Sequence, residues 1–168
     1  MNNLLNYLEG TDLRSIGKNS DILPLINSQN DFDDLFAYLF DDNRAVRMKA
    51  IDIIEKITAK DEKYLKKHKG KIIKLCSSDE NIEFKWHLAQ LLPRLELKTD
   101  EVKSIWQILK QWVLDKSESK IVRVNSLQSL SIFKEKYKLY EAEYLKIIQI
   151  LKKENVASIN ARMKKLGS

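Results

Sequence analysis

Three side chains in this sequence carry the chemistry of a nucleophile, a general base or a soft metal ligand: Cys76, His68 and His87. One thiol cannot form an internal disulfide, and one cysteine with two histidines falls short of the four ligands of a structural zinc site. The histidines stand 19 residues apart with no carboxylates at ligand spacing. Cys76 follows Leu75 at the end of an apolar helical face, where the helix dipole does not favour a thiolate, so it reads as a small core residue. No Walker loop, GxGxxG, HExxH, GxSxG or CxxC pattern occurs. The expectation is a protein that is not an enzyme, with no metal, no cofactor and no small-molecule substrate.

The other candidate chemistry is electrostatic. Residues 60 to 74, KDEKYLKKHKGKIIK, hold seven lysines (Lys60, Lys63, Lys66, Lys67, Lys69, Lys71, Lys74) against two acids, with Tyr64 and His68 interleaved. Lysines displace counterions from a phosphate backbone and aromatics stack on bases, so this run is a candidate nucleic-acid patch; a solvated helix face has the same composition. The net charge of +6 is unevenly spread. Residues 1 to 42 hold two basic and eight acidic residues, whereas the remainder holds 28 basic and 16 acidic. An acidic leading segment thus precedes a basic body.

The elements that must position these residues are helical. The chain has 168 residues, 43% of them hydrophobic and 32% charged, with only four glycines and two prolines. That composition is unlike disorder or a turn-rich β-sandwich and fits one all-α domain. There is no N-terminal basic and apolar leader and no long apolar run, so the expectation is no membrane and a cytoplasmic setting.

The helices repeat. Thirty-eight residues separate VRMKAIDIIEKI (46 to 57) from FKWHLAQLLPRL (84 to 95), and again from VRVNSLQSLSIF (122 to 133). Ungapped alignment puts Val46 with Phe84 and Val122; Ile51 with Ala89 and Leu127; Ile54 with Leu92 and Leu130; Ile57 with Leu95 and Phe133. Ala50, Leu88 and Ser126 form a further small or apolar column. Spacings of four, five, eight and eleven residues fall on one face of a helix. A first helical stretch precedes each: 31 to 40, 63 to 76 and 101 to 114. Asn30 and Thr99 read as helix starts, and Pro93 is expected to bend its helix. A looser pair covers 141 to 166. The predicted organisation is an irregular cap over 1–29 and helical repeats over 31–59, 60–96, 99–137 and 141–166.

Two polar columns share the period: Asp42, Glu80 and Glu118 in the turns, and Arg47, Lys85 and Arg123 early in the second helices. On the helical wheel Arg47 falls between Ile51 and Ile54, so this ladder of bases is expected to face neighbouring repeats and meet turn acids. The turn acid and the pairs Val46-Arg47, Phe84-Lys85 and Val122-Arg123 resemble the HEAT-repeat family, most clearly over residues 31 to 134. The resemblance implies a right-handed α-α superhelix, a HEAT-like solenoid of about four helical hairpins, whose concave face binds partners. The period is shorter than the roughly 40 to 47 residues of such repeats, and the fourth unit lacks the apolar-basic start.

If second helices line the concave face, Met48, Trp86 and Val124 form one outward column and Asp52, Gln90 and Gln128 the next. Lys49, His87 and Asn125 flank them, with Lys56, Arg94 and Ile132 on the other side. An apolar row with basic and amide neighbours suits a protein partner or an extended acidic peptide anchored on Trp86; the same tryptophan equally fills a groove between repeats. Of Trp106 and Trp112, six residues apart, one reads as core and one as partly exposed. Some HEAT-like proteins are glycosylases of alkylated DNA that use concave aromatics, an arginine and an aspartate. Only Trp86, Arg94 and Asp52 answer to that here, without a motif. The functional expectation is a non-enzymatic interaction adaptor or scaffold, with nucleic-acid binding through 60–74 as the alternative, and a monomer or an end-to-end dimer as the state.

Overall fold

The computed structural model describes residues 4–8, 22–77 and 84–167. Among them there are nine α-helices and no strands. The chain divides into two compact units, Met1–His68 and Lys69–Ser168.

The first unit is built on α3 (Arg44–Thr58), against which α1 (Leu4–Leu8), α2 (Gln29–Ala37) and the 3-10 turns Tyr38–Phe40 and Glu62–His68 rest. Val46, Ala50, Ile51, Ile53, Ile54 and Ile57 are buried along α3, as the amphipathic spacing requires. Asn43 caps this helix by accepting a hydrogen bond from the Ala45 N–H at 2.9 Å. The start of α2 is two residues earlier than expected: Ser28, not Asn30, is its cap. Ser28 Oγ accepts from the Asp31 N–H, and the Asp31 carboxylate accepts from the Ser28 N–H at 2.9 Å, a reciprocal capping box.

The second unit pairs first helices with second helices. The first are α4 (Lys69–Cys76), α6 (Thr99–Leu114) and α8 (Glu141–Glu154); the second are α5 (Lys85–Leu91), α7 (Lys120–Lys136) and α9 (Ala157–Lys165). Each first helix contacts the second helix that follows it, α5 lies against α7, and α7 lies against α9. The α5–α7 contact includes a side-chain bond: Ser129 Oγ donates to the Ala89 carbonyl at 2.5 Å, two residues off the 38-residue spacing of the repeat. Thr99 opens α6 as its first helical residue, and the preceding Lys98 N–H donates to Glu101 Oε2 at 2.7 Å.

All fifteen positions of the five aligned columns are buried, Ser126 included. Two local expectations need correction. Trp106 and Trp112 are both buried, at 0% and 5% exposure. Trp106 stacks on Tyr140 at 4.3 Å and its indole N–H donates to Glu143, so the face that would be open in an isolated helix is covered by α8. Pro93 does more than bend a helix. The α-helical hydrogen bonding stops at Leu91 and passes into a 3-10 turn, Leu92–Arg94, because proline cannot donate to the preceding turn.

Candidate interaction surface

The charged ladder is set one base at a time. Arg47, on α3, donates from Nη1 to the carbonyls of Asp41 at 2.6 Å and Asp42 at 2.9 Å. It therefore closes its own turn through backbone oxygens, not through the Asp42 carboxylate. Lys85 Nζ forms an ion pair with Glu118 and sits 5.9 Å over the Trp112 ring. Arg123 is 3% exposed; both terminal nitrogens reach Glu154, at 2.7 and 2.6 Å, and Nε donates to the Val113 carbonyl. Hydrogen bonding to Arg123 holds the Glu154 carboxyl below the usual range against an opposing push from burial. Glu80 lies outside the described residues. Glu154 was not legible as a partner, since the repeat period points to Val156 instead.

The outward columns close more than the helical wheel suggests. On α3, Met48 is half-buried and Lys49 is buried at 7% exposure, so Lys49 is not the open flanking cation it was expected to be. Asp52 and Lys56 form an i,i+4 ion pair at 2.6 Å, which offsets the charge of both. In the second unit, Trp86, Gln90 and Arg94 on α5 and its 3-10 extension are half-buried, as are Val124, Asn125 and Gln128 on α7. His87 is 1% exposed, its ring against that of Trp86, and so belongs to the interior. Gln128 accepts from Arg162 at 2.9 Å, so α9 covers the position that a lone helix would leave open. Asn125 and Gln90 turn their amides back to carbonyls of their own helices, Ile121 and Trp86. What remains partly open is Trp86 and Gln90 on α5, and Val124 and Asn125 on α7.

The lysine run does not keep its aromatic partners. His68 is buried, stacked 3.9 Å from Phe36, and its Nε2 lies 2.7 Å from Asp33. Tyr64 stacks on Phe32 at 5.0 Å. Burial would raise the Asp33 carboxyl, but hydrogen bonds from Gln29, His68 and Lys67 outweigh it and hold the group at about 2. In the first unit Lys60, Lys63, Lys66 and Lys67 are exposed, the last 3.2 Å from Asp33. In the second, Lys71 and Lys74 are exposed while Lys69 is committed to Glu101 at 2.8 Å.

Cys76 is 8% exposed, donates to the Ile72 carbonyl, and is pushed up to about 12 by burial, which leaves it an inert thiol at neutral pH. Among the described residues no group of three or more His, Cys, Asp or Glu is placed to hold a metal, and no helix is long and apolar enough to cross a membrane. One feature escaped sequence reasoning: an open cleft of about 340 Å³ lined by Lys152, Asn160, Met163 and Lys164, on α8 and α9. Its only trace in the sequence is the paired lysines 152–153 and 164–165. No protein-family model, curated protein or solved structure matches the chain.

Proposed function

We propose that the protein is a non-enzymatic interaction module, an adaptor or scaffold of right-handed HEAT-like solenoid type, which holds a protein segment along its second helices. The observation that carries the reading is the contact of α5 with α7, tied by the Ser129–Ala89 hydrogen bond. Trp86 and Gln90 on α5, and Val124 and Asn125 on α7, are all half-buried, so the two contacting helices offer an aromatic anchor together with small apolar and amide groups. Buried or paired titratable groups elsewhere act as structure: Arg123 with Glu154, His68 with Asp33, and a buried Cys76 thiol pushed up by burial. A reducing, cytoplasmic setting suits that unbridged thiol.

Nucleic-acid binding by the lysines of 60–74 is the lesser reading, because Tyr64 and His68 are occupied by Phe32 and Phe36 and cannot stack on bases. The test is affinity capture by the wild-type chain and by Trp86→Ala, with matched circular dichroism, at low and raised salt. Partners retained at raised salt by the wild type and lost by Trp86→Ala support the proposal. Identical capture by both, or capture that is abolished by salt and restored by adding DNA or RNA, overturns it.

A further inference from the structure

The hairpin of α8 and α9 carries six basic residues, Lys146, Lys152, Lys153, Arg162, Lys164 and Lys165, against three acids. Two of those acids are turned inward. Glu143 accepts from Lys110 at 2.5 Å and from Trp106 at 2.7 Å on α6, and Glu154 is held by both terminal nitrogens of Arg123 on α7. The third, Glu141, stands at the opposite end of α8 from Lys152. Arg162 reaches an amide, Gln128, and not a carboxylate. Two of the hairpin's three acids are therefore committed to neighbouring helices and the third is remote, while Lys152, Lys153, Lys164 and Lys165 are exposed.

This imbalance coincides with a cleft. Its rims are Lys152 and Lys164; its floor is Met163, 3% exposed; and its wall is Asn160, whose amide nitrogen donates to Asn155 Oδ1 at 2.7 Å. Asn155 closes α8 in the left-handed conformation, φ 57°, and this tight turn brings the end of α8 against α9. Cations at helix C-termini complement the helix dipole, so the lysines are stable in place without inward carboxylates. A thioether floor accepts varied apolar side chains. None of the lining residues is aromatic, so the cleft lacks the stacking platform that exposed bases require.

We propose that this cleft is a docking site for an acidic protein segment: carboxylates meet Lys152 and Lys164, and an apolar side chain between them rests on Met163. The site is separate from the α5–α7 surface and does not depend on it. The probe is a short fluorescent peptide with one leucine flanked by glutamates, titrated into the full chain by anisotropy. We expect the Lys152→Glu/Lys164→Glu double variant to weaken binding at least about tenfold, the loss of a close charge pair and its replacement by repulsion. The charge-matched control Lys103→Glu/Lys120→Glu, both exposed positions outside the hairpin, should bind as the wild type does. An all-glutamate peptide without the leucine should bind several-fold more weakly.

Because the altered lysines are exposed, melting temperatures of the lysine variants should lie close to that of the wild type, and binding is then compared between equally folded proteins. Undiminished binding by the cleft variant, equal loss in the charge-matched control, or equal affinity of the all-glutamate peptide overturns the proposal. So does tighter, cleft-dependent binding of a DNA duplex than of the peptide. Cleft-dependent self-association without peptide binding also overturns it, in favour of a second copy of this chain as occupant. A failure of Trp86→Ala to change capture would leave this result untouched, so the two proposals fail separately.

Discussion

Arg123 shows how a single charged side chain can be fully committed to structure. Its guanidinium is 3% exposed and donates along both edges, to the Glu154 carboxylate and to the Val113 carbonyl, so α7 is tied at once to α8 and to the end of α6. A planar fork satisfies this pair of directions and an ammonium cannot. Removing the side chain leaves Glu154, only 14% exposed, as an uncompensated carboxylate. Arg123→Ala should therefore cost about 3 kcal/mol in chemical denaturation, near the range for breaking a buried pair from one side, and Arg123→Lys should recover only part of it. An unchanged midpoint would refute the assignment. That Arg123 faces inward is readable from the helical wheel; its partner is not, because a period of 38 residues says nothing about a carboxylate 31 residues away.

Elements were legible where repetition averages over local accident. Five columns drawn at a fixed period all land in the interior, because an amphipathic face is a statement about many residues at once. Element ends depend on one or two hydrogen bonds and are less legible. Ser28 competes with Asn30 as the start of α2, and the deciding feature is the reciprocal bond with Asp31, which no spacing rule for a single residue encodes. At Pro93 the change from α to 3-10 geometry is a backbone response that hydrophobic pattern does not register. Outward positions were the least legible. Gln128, Lys49 and His87 are outward on a lone helix and covered once the neighbouring helices are in place. The capping box gives a direct test. Ser28→Ala should cost about 1 kcal/mol, and Ser28→Thr should cost less because its hydroxyl still caps. The same serine is the main cause of the depressed Asp31 carboxyl, so an NMR titration should show the Asp31 pKa moving up in Ser28→Ala; no movement would remove the capping box from the account.

At the scale of the molecule, most of the paired carboxylates share one electrostatic sign. Asp31, Asp33, Glu101, Asp115, Glu135, Glu143 and Glu154 are all held below their ordinary values, chiefly by hydrogen bonds from neighbouring donors, with Asp33 and Glu135 brought to about 2. Each of these groups binds its proton less readily in the folded chain than in the unfolded one. Its contribution to stability is then complete above the unfolded value, near pH 4, and is lost as pH falls through the folded value. The melting temperature should hold nearly level from neutral pH to about 4.5 and fall steeply between about 4 and 2, when the basic excess also becomes self-repelling. Asp33→Asn should shrink that fall, because the group shared by Gln29, Lys67 and His68 no longer titrates. A decline that begins well above pH 5, or a melting temperature unchanged at pH 2, would show that these carboxylates do not govern the acid limb. Exposed members such as Glu135 contribute little to it despite their shift, since both partners are solvated and salt screens them, so raised salt should leave most of the acid loss in place.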